Sequence, residues 1–213
     1  MINKYLKFSP FYFFCLYSII YILFTFLLNY ILLDDAIFHK SFDKTIGVDL
    51  VTQLIDQQRI YQKFGYGFVP IILLLRGLYT SACLVIGNLF TEQNLKFSQC
   101  FNMAIKADII FLIELIMRID YFSIFKADSV QEIDVHLFSI VQWVGVDNIE
   151  KWQLYPMNVS NIFELIYWIL LTLFLSYYTK KSFVNSLGFV TKTYGFGLLL
   201  WIAFVMFLVL NFL

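Results

Sequence analysis

The chain has 213 residues, of which 61% are hydrophobic, 20% aromatic and 14% charged, against about half apolar and a quarter charged in an ordinary water-soluble domain. That balance excludes a soluble fold, and 15 Lys and Arg against 15 Asp and Glu leave no net charge, which excludes a basic nucleic-acid-binding module. With 25 Phe and 14 Tyr beside 9 Gly and 3 Pro, collagen-like and disordered chains are excluded too. The expectation is one all-α domain over residues 1–213, a polytopic integral membrane bundle of about five transmembrane helices with two interfacial amphipathic helices. Its first partner is the lipid bilayer, that of the inner or plasma membrane in a prokaryote.

Residues 11–33 form an apolar run without a charge, and at about 1.5 Å per residue the run outreaches a hydrocarbon core of roughly 30 Å. Lys4 and Lys7 precede it as in a secretory signal. The apolar part is too long for one, however, and Ile31-Leu32-Leu33-Asp34-Asp35-Ala36 lacks a small-x-small cleavage pattern, so an uncleaved anchor is predicted. Residues 34–64 turn polar, with Asp34, Asp35, Asp43, Asp49 and Asp56 set among Lys40, Lys44, Arg59 and Lys63. Within them Val51, Leu54, Ile55 and Tyr61 share one helical face, the pattern of an interfacial helix or of one packed on a partner or a neighbouring loop.

A second span is predicted over residues 68–90, opened by Gly65-Tyr66-Gly67 and by Pro70, which a first helical turn tolerates. It carries Arg76. A third, 98–118, holds Lys106, Asp108 and Glu114 and ends at Arg118. Each apolar residue returns about 0.3 to 0.6 kcal/mol on insertion while a central charge costs roughly 2.5 to 3.5 kcal/mol. Such a stretch barely inserts by itself, so its charges must pair, face a wet cavity or lie in the interface.

Residues 120–159 are again polar and acidic. Ser129-x-x-Glu132 is a capping-box signature ahead of Ile133, Leu137, Ile140, Val141 and Val144, which predicts a surface amphipathic helix. Trp143 and Trp152 suit the headgroup level. Tyr155-Pro156-Met157-Asn158 is expected to make a sharp entry to the fourth span, 162–178. A basic connection, Thr179-Lys180-Lys181, and a short helical segment to Lys192 lead to the last span, 194–213. Five spans put the termini on opposite faces. One face has Lys4, Lys7, Lys96, Lys180, Lys181 and Lys192; the other has Lys40, Lys44, Arg59, Lys63, Lys126 and Lys151. This even count gives no orientation by the positive-inside rule, and the long acidic loops opposite Lys180 and Lys181 favour an inside amino terminus.

Because hydrocarbon penalises ionised groups, intramembrane charges are the candidate functional residues: Arg76, Lys106, Asp108, Glu114 and Arg118. Glu114 and Arg118, four residues apart in acid-before-base order, are placed to neutralise each other. Lys106 falls within the same broad polar sector, Asp108 lies on another side, and Arg76 is placed to reach either acid. The network either fixes helix packing or forms a path for a proton, an ion or an anionic headgroup. Gly77-x-x-x-Ser81 and Cys83-x-x-x-Gly87 give the second span a small-residue flank for close helix approach. Cys15, Cys83 and Cys100 read as buried small hydrophobes, and His39 and His136 as isolated residues, so no metal site and no cofactor is expected. No P-loop, nucleotide fingerprint, H-E-x-x-H or nucleophile elbow occurs.

From about residue 66 onward the layout resembles the Yip family, Rab/Ypt-interacting membrane proteins, in its prokaryotic-type members. The features that carry the likeness are the span led by Pro70, the turn reaching Lys96-Phe97-Ser98-Gln99, the polar loop, and Asn161-Ile162-Phe163-Glu164-Leu165-Ile166-Tyr167-Trp168 at the head of the fourth span. A short basic connection then precedes the last span. Lys106-Ala107-Asp108 stands where the family has Tyr-Ala followed by Pro. The resemblance implies a non-enzymatic helical bundle acting in membrane organisation, trafficking or partner recruitment, with no catalytic residue. The resulting expectation is an interaction or assembly subunit of a membrane complex, bound to other membrane subunits or to itself. The alternative is a small transporter or channel subunit using the intramembrane charges.

Overall fold

The computed structural model describes residues 6, 8–91, 95–127 and 129–212, and every regular element among them is helical. Lys4, Lys7 and Glu92, which bear on the face charges, and Leu213, the end of the last predicted span, lie outside the described residues. Helix α1 (Pro10–Leu32) begins with proline in its first turn, where the missing N–H leaves nothing unpaired. Asp34 starts α2 (Asp35–Ile46) by accepting the Ile37 amide at 2.9 Å. Helix α3 (Val48–Leu89) runs on for 42 residues with Pro70 in its interior.

The expected start at residues 65–70 is therefore not a start. The helix is held on both sides of the proline: the Asn29 amide donates to the Tyr66 hydroxyl at 3.1 Å, the Tyr66 ring packs on Phe26, and Leu73 is buried with Tyr17 and Leu112. Tertiary contacts on this scale outweigh one lost ladder bond. Nor is the amphipathic face of residues 51–61 an unattached interfacial face. Val51 and Ile55 are buried with Leu28, Phe38, Leu115 and Ile133, while Leu54 and Tyr61 are exposed.

The charged stretch 98–118 is two helices, α4 (Phe97–Ala107) and α5 (Ile109–Ile124), meeting at Asp108. The Phe111 amide reaches back only three residues to the Asp108 carbonyl, at 3.0 Å, and the Tyr17 hydroxyl donates to that same oxygen at 3.0 Å. A foreign side chain inserted in the ladder is a recognised cause of a kink.

The polar loop is also more broken than its pattern suggests. Ser129 caps only the short α6 (Val130–Ile133), and Ser139 starts α7 (Ile140–Val144) afresh. Between them Phe138 has a left-handed φ of 54°, the His136 amide donates to Asn158 Oδ1 at 2.7 Å, and the Leu137 amide points to Glu114 Oε1 at 3.4 Å. Side chains take the amides that a continuous helix would need. Tyr155-Pro156-Met157-Asn158 lies inside α8 (Lys151–Val159). The corner into α9 (Ile162–Thr179) is at Ser160 and Asn161, whose side chain accepts the Glu164 amide at 2.9 Å. Helix α10 (Phe183–Val190) continues through a π-helical turn, Thr191–Gly195, into α11 (Phe196–Phe212).

Among the described residues, four helices are long and apolar enough to cross a membrane: Pro10–Leu32, Asp49–Leu89, Ile162–Thr179 and Phe183–Phe212. The broken, charge-bearing α4–α5 pair is not one of them. Its path is nevertheless that of a bundle member. Antiparallel to α3, it pairs Asn88 with Leu95, Gly77 with Ile105, Arg76 with Asp108 and Leu73 with Leu112. Antiparallel to α9, it sets Asn102 by Tyr178 and Phe111 by Tyr167. Helix α11 runs antiparallel to α3, with Thr193 at Gly87, Gly197 at Cys83 and Trp201 at Tyr79. The chain thus traverses the bundle five times in alternating directions, and α4–α5 is the most enclosed traverse, with Cys100 to Asp108 almost wholly buried apart from the partly exposed Phe101.

Candidate functional site

Three polar clusters lie in series along α4–α5. The first surrounds Lys106, whose side chain is fully enclosed and whose Nζ donates to the carbonyls of Leu6 at 3.0 Å and Phe8 at 2.7 Å. Asn102, one turn earlier, donates to the same Leu6 carbonyl at 3.0 Å and to the Tyr178 hydroxyl at 2.9 Å. Together they fasten the chain ahead of α1 to α4 and α9.

The second cluster centres on Arg76. Its Nε is 3.4 Å from Asp108 Oδ1 and its Nη2 is 3.5 Å from Glu164 Oε2. The guanidinium carbon sits 3.4 Å over the centroid of the Phe111 ring and 5.3 Å from that of Tyr167. With the Arg76 side chain 31% exposed, a stack of this kind contributes about 1 kcal/mol. Glu164 is further held by the Trp168 indole N–H at 3.0 Å and the Tyr194 hydroxyl at 2.8 Å. One cation, two carboxylates, an indole N–H and a tyrosine hydroxyl thereby tie α3, α5, α9 and the π-helical turn together.

The third cluster is built on Glu114, which is fully buried. Arg118 donates to its Oε1 from Nε at 3.0 Å and from Nη2 at 2.7 Å, and to Oε2 from Nη2 at 2.7 Å. His136 Nδ1 lies 3.3 Å from Oε1. This cluster clamps the 129–145 loop to α5, and the Asn158 carboxamide secures the same loop from α8.

The sequence-predicted residues are thus divided among the clusters. Glu114 and Arg118 meet; Lys106 turns away to backbone carbonyls; Arg76 takes Asp108. Two members were not among the candidates. Glu164 could have been found as a lone acid inside a predicted span with Trp168 one turn on, but its other aromatic partner, Tyr194, comes from 30 residues away on the π-helical turn. His136 carries no local signal, because Glu114 approaches it from another element. The buried Lys106 and the partly buried Arg76 and Arg118 stand against the buried Asp108, Glu114 and Glu164, three cations to three carboxylates. Burying such ions is tolerable only with partners of this kind.

The small residues serve two different neighbours. A Cβ at Gly77 would lie 3.1 Å from Ile105 of α4, and one at Gly87 only 1.8 Å from Thr193 of the π-helical turn. Ser81 is buried and donates to the Gly77 carbonyl. Trp143 is 81% exposed at α7, and the Trp152 indole donates to Glu150. Cys15, Cys83 and Cys100 are free thiols, and among the described residues no three His, Cys, Asp or Glu side chains converge as metal ligands. No protein-family model, curated protein or solved structure matches this chain. Its class is therefore defined by its own architecture: an all-helical bundle with four helices suited to a membrane and an ion-paired centre.

Proposed function

We propose that the protein is a non-enzymatic, multi-pass membrane protein whose five traverses cross the bilayer and whose role is that of an interaction or assembly subunit, in the manner of Yip-like membrane organisation. The observation that carries this reading is how the buried ions are used. Each joins separate elements of the same chain, and the last of them holds the 129–145 loop against the bundle. From that loop Trp143, Ile140 and Val144 project outward. An exposed aromatic anchor on a fixed support is the chemistry of a partner-binding surface. The test is photocrosslinking from position 143 in native membranes followed by copurification. A reproducible crosslinked protein supports the proposal, and a monomer in mild detergent with no repeatable crosslink sinks it.

One observation favours a second reading, a small transporter or channel subunit. The ionisable groups follow one another along the central traverse, from Lys106 to Arg118, instead of gathering at one level. Reconstituted flux that falls in folded Glu114→Gln or Arg76→Gln protein supports it; flux unchanged by both excludes it.

A further inference from the structure

Helix α3 and the α10–α11 helix flank a groove of about 770 Å³. Its walls are apolar, with Ala82 and Ile86 on one side and Phe196 and Leu200 on the other. At Gly188 an added Cβ would meet nothing within 4 Å, so the missing side chain itself opens part of the space. The groove's one cation is Lys192, with Thr193, Thr91 and, about two turns earlier, Asn185 toward that end, while the Tyr79 hydroxyl at the other end is taken up by the Gly197 carbonyl at 2.6 Å; no acidic side chain is among its described lining residues.

The level of Lys192 has a meaning if α11 crosses the bilayer, on which this inference rests. Residues 194–212 carry no charge and extend about 28 Å as a helix, close to the thickness of the hydrocarbon layer. Lys192, two residues before them on the π-helical turn, then stands at the headgroups, at the same end of the bundle as Lys96, Lys180 and Lys181. From there the apolar walls lead inward. The glycines that would admit a second helix are already filled, Gly87 by Thr193 and Gly197 by Cys83.

We infer that this groove seats one anionic phospholipid, its phosphate at Lys192 and an acyl chain between α3 and α11. Single basic groups at a membrane surface favour anionic lipid by about fivefold each. The test is native mass spectrometry of the full chain released from micelles containing equal phosphatidylglycerol and phosphatidylcholine. One phosphatidylglycerol should remain bound in preference to phosphatidylcholine. Lys192→Gln should cut that preference about fivefold, and Gly188→Leu, which fills open space, should remove the adduct while the protein still melts as a folded unit. Equal retention of both lipids, an adduct that survives Gly188→Leu, or a dimer that Gly188→Leu disperses would overturn the lipid seat. Carbonate washing of the source membranes is scored in parallel. Loss of the chain in the wash defeats the membrane reading together with the seat, whereas retention without a selective adduct defeats the seat alone.

Discussion

Glu114→Gln is the substitution whose consequence follows most directly from geometry. The carboxylate receives three close contacts from Arg118, at 3.0, 2.7 and 2.7 Å, and the arginine side chain is only 11% exposed. Its other contacts are to uncharged acceptors or a histidine ring, with Nη1 at 3.5 Å from the Ile133 carbonyl and Nη2 at 3.1 Å from His136 Nδ1. The carboxamide keeps the shape but offers one acceptor and turns an NH₂ group toward a guanidinium, so a positive charge is left enclosed without its counter-ion. Breaking a buried pair from one side costs about 3 to 5 kcal/mol, whereas removing both charges is close to neutral. For a chain of this size that corresponds to a melting point lowered by roughly 6 to 20 °C. Glu114→Gln combined with Arg118→Met should recover most of the loss. Fluorescence-monitored thermal unfolding in one fixed detergent reads all three proteins. The reasoning fails if the single variant melts within about 2 °C of the parent, or if the double variant is no better than the single.

The Arg76 cluster obeys the same rule: Arg76→Gln should lower the abundance of folded protein in membranes, and adding Asp108→Asn should restore part of it, as quantified by fluorescence-detected size exclusion. Gly87→Val, which drives a side chain into Thr193, should destabilise by about 1 to 3 kcal/mol, while Gly188→Ala should be neutral or stabilising by up to about 1 kcal/mol through helix propensity; the two melting points must differ in that order. Asn158→Ala removes the acceptor of the His136 amide, for a cost of about 1 to 3 kcal/mol, and limited proteolysis should then cut within residues 134–145 faster than in the parent. Reporter fusions in the 34–64 loop and after residue 213 should fall on the same side of the membrane if α4–α5 completes a fifth crossing, and on opposite sides if it does not.

Composition and apolar runs suffice to specify the helical class and the stretches around residues 11–33, 68–90, 162–178 and 194–213, because hydrocarbon-scale hydrophobicity is a local property that each segment carries by itself. The Glu114–Arg118 contact was legible for a similar reason, as two residues four apart face the same way on any helix. Where α3 begins was not legible, since Gly65, Gly67 and Pro70 weaken a helix locally while Phe26, Asn29 and Tyr17 hold it from another element. The same holds for the kink at Asp108, whose cause is the hydroxyl of Tyr17, 91 residues away, and for the split of the predicted 133–144 helix by Glu114 and Asn158. The partners of Arg76 and His136 also belong to the tertiary structure. A buried charge states in the sequence only that it needs compensation; which carboxylate supplies it depends on the directions in which five helices pack.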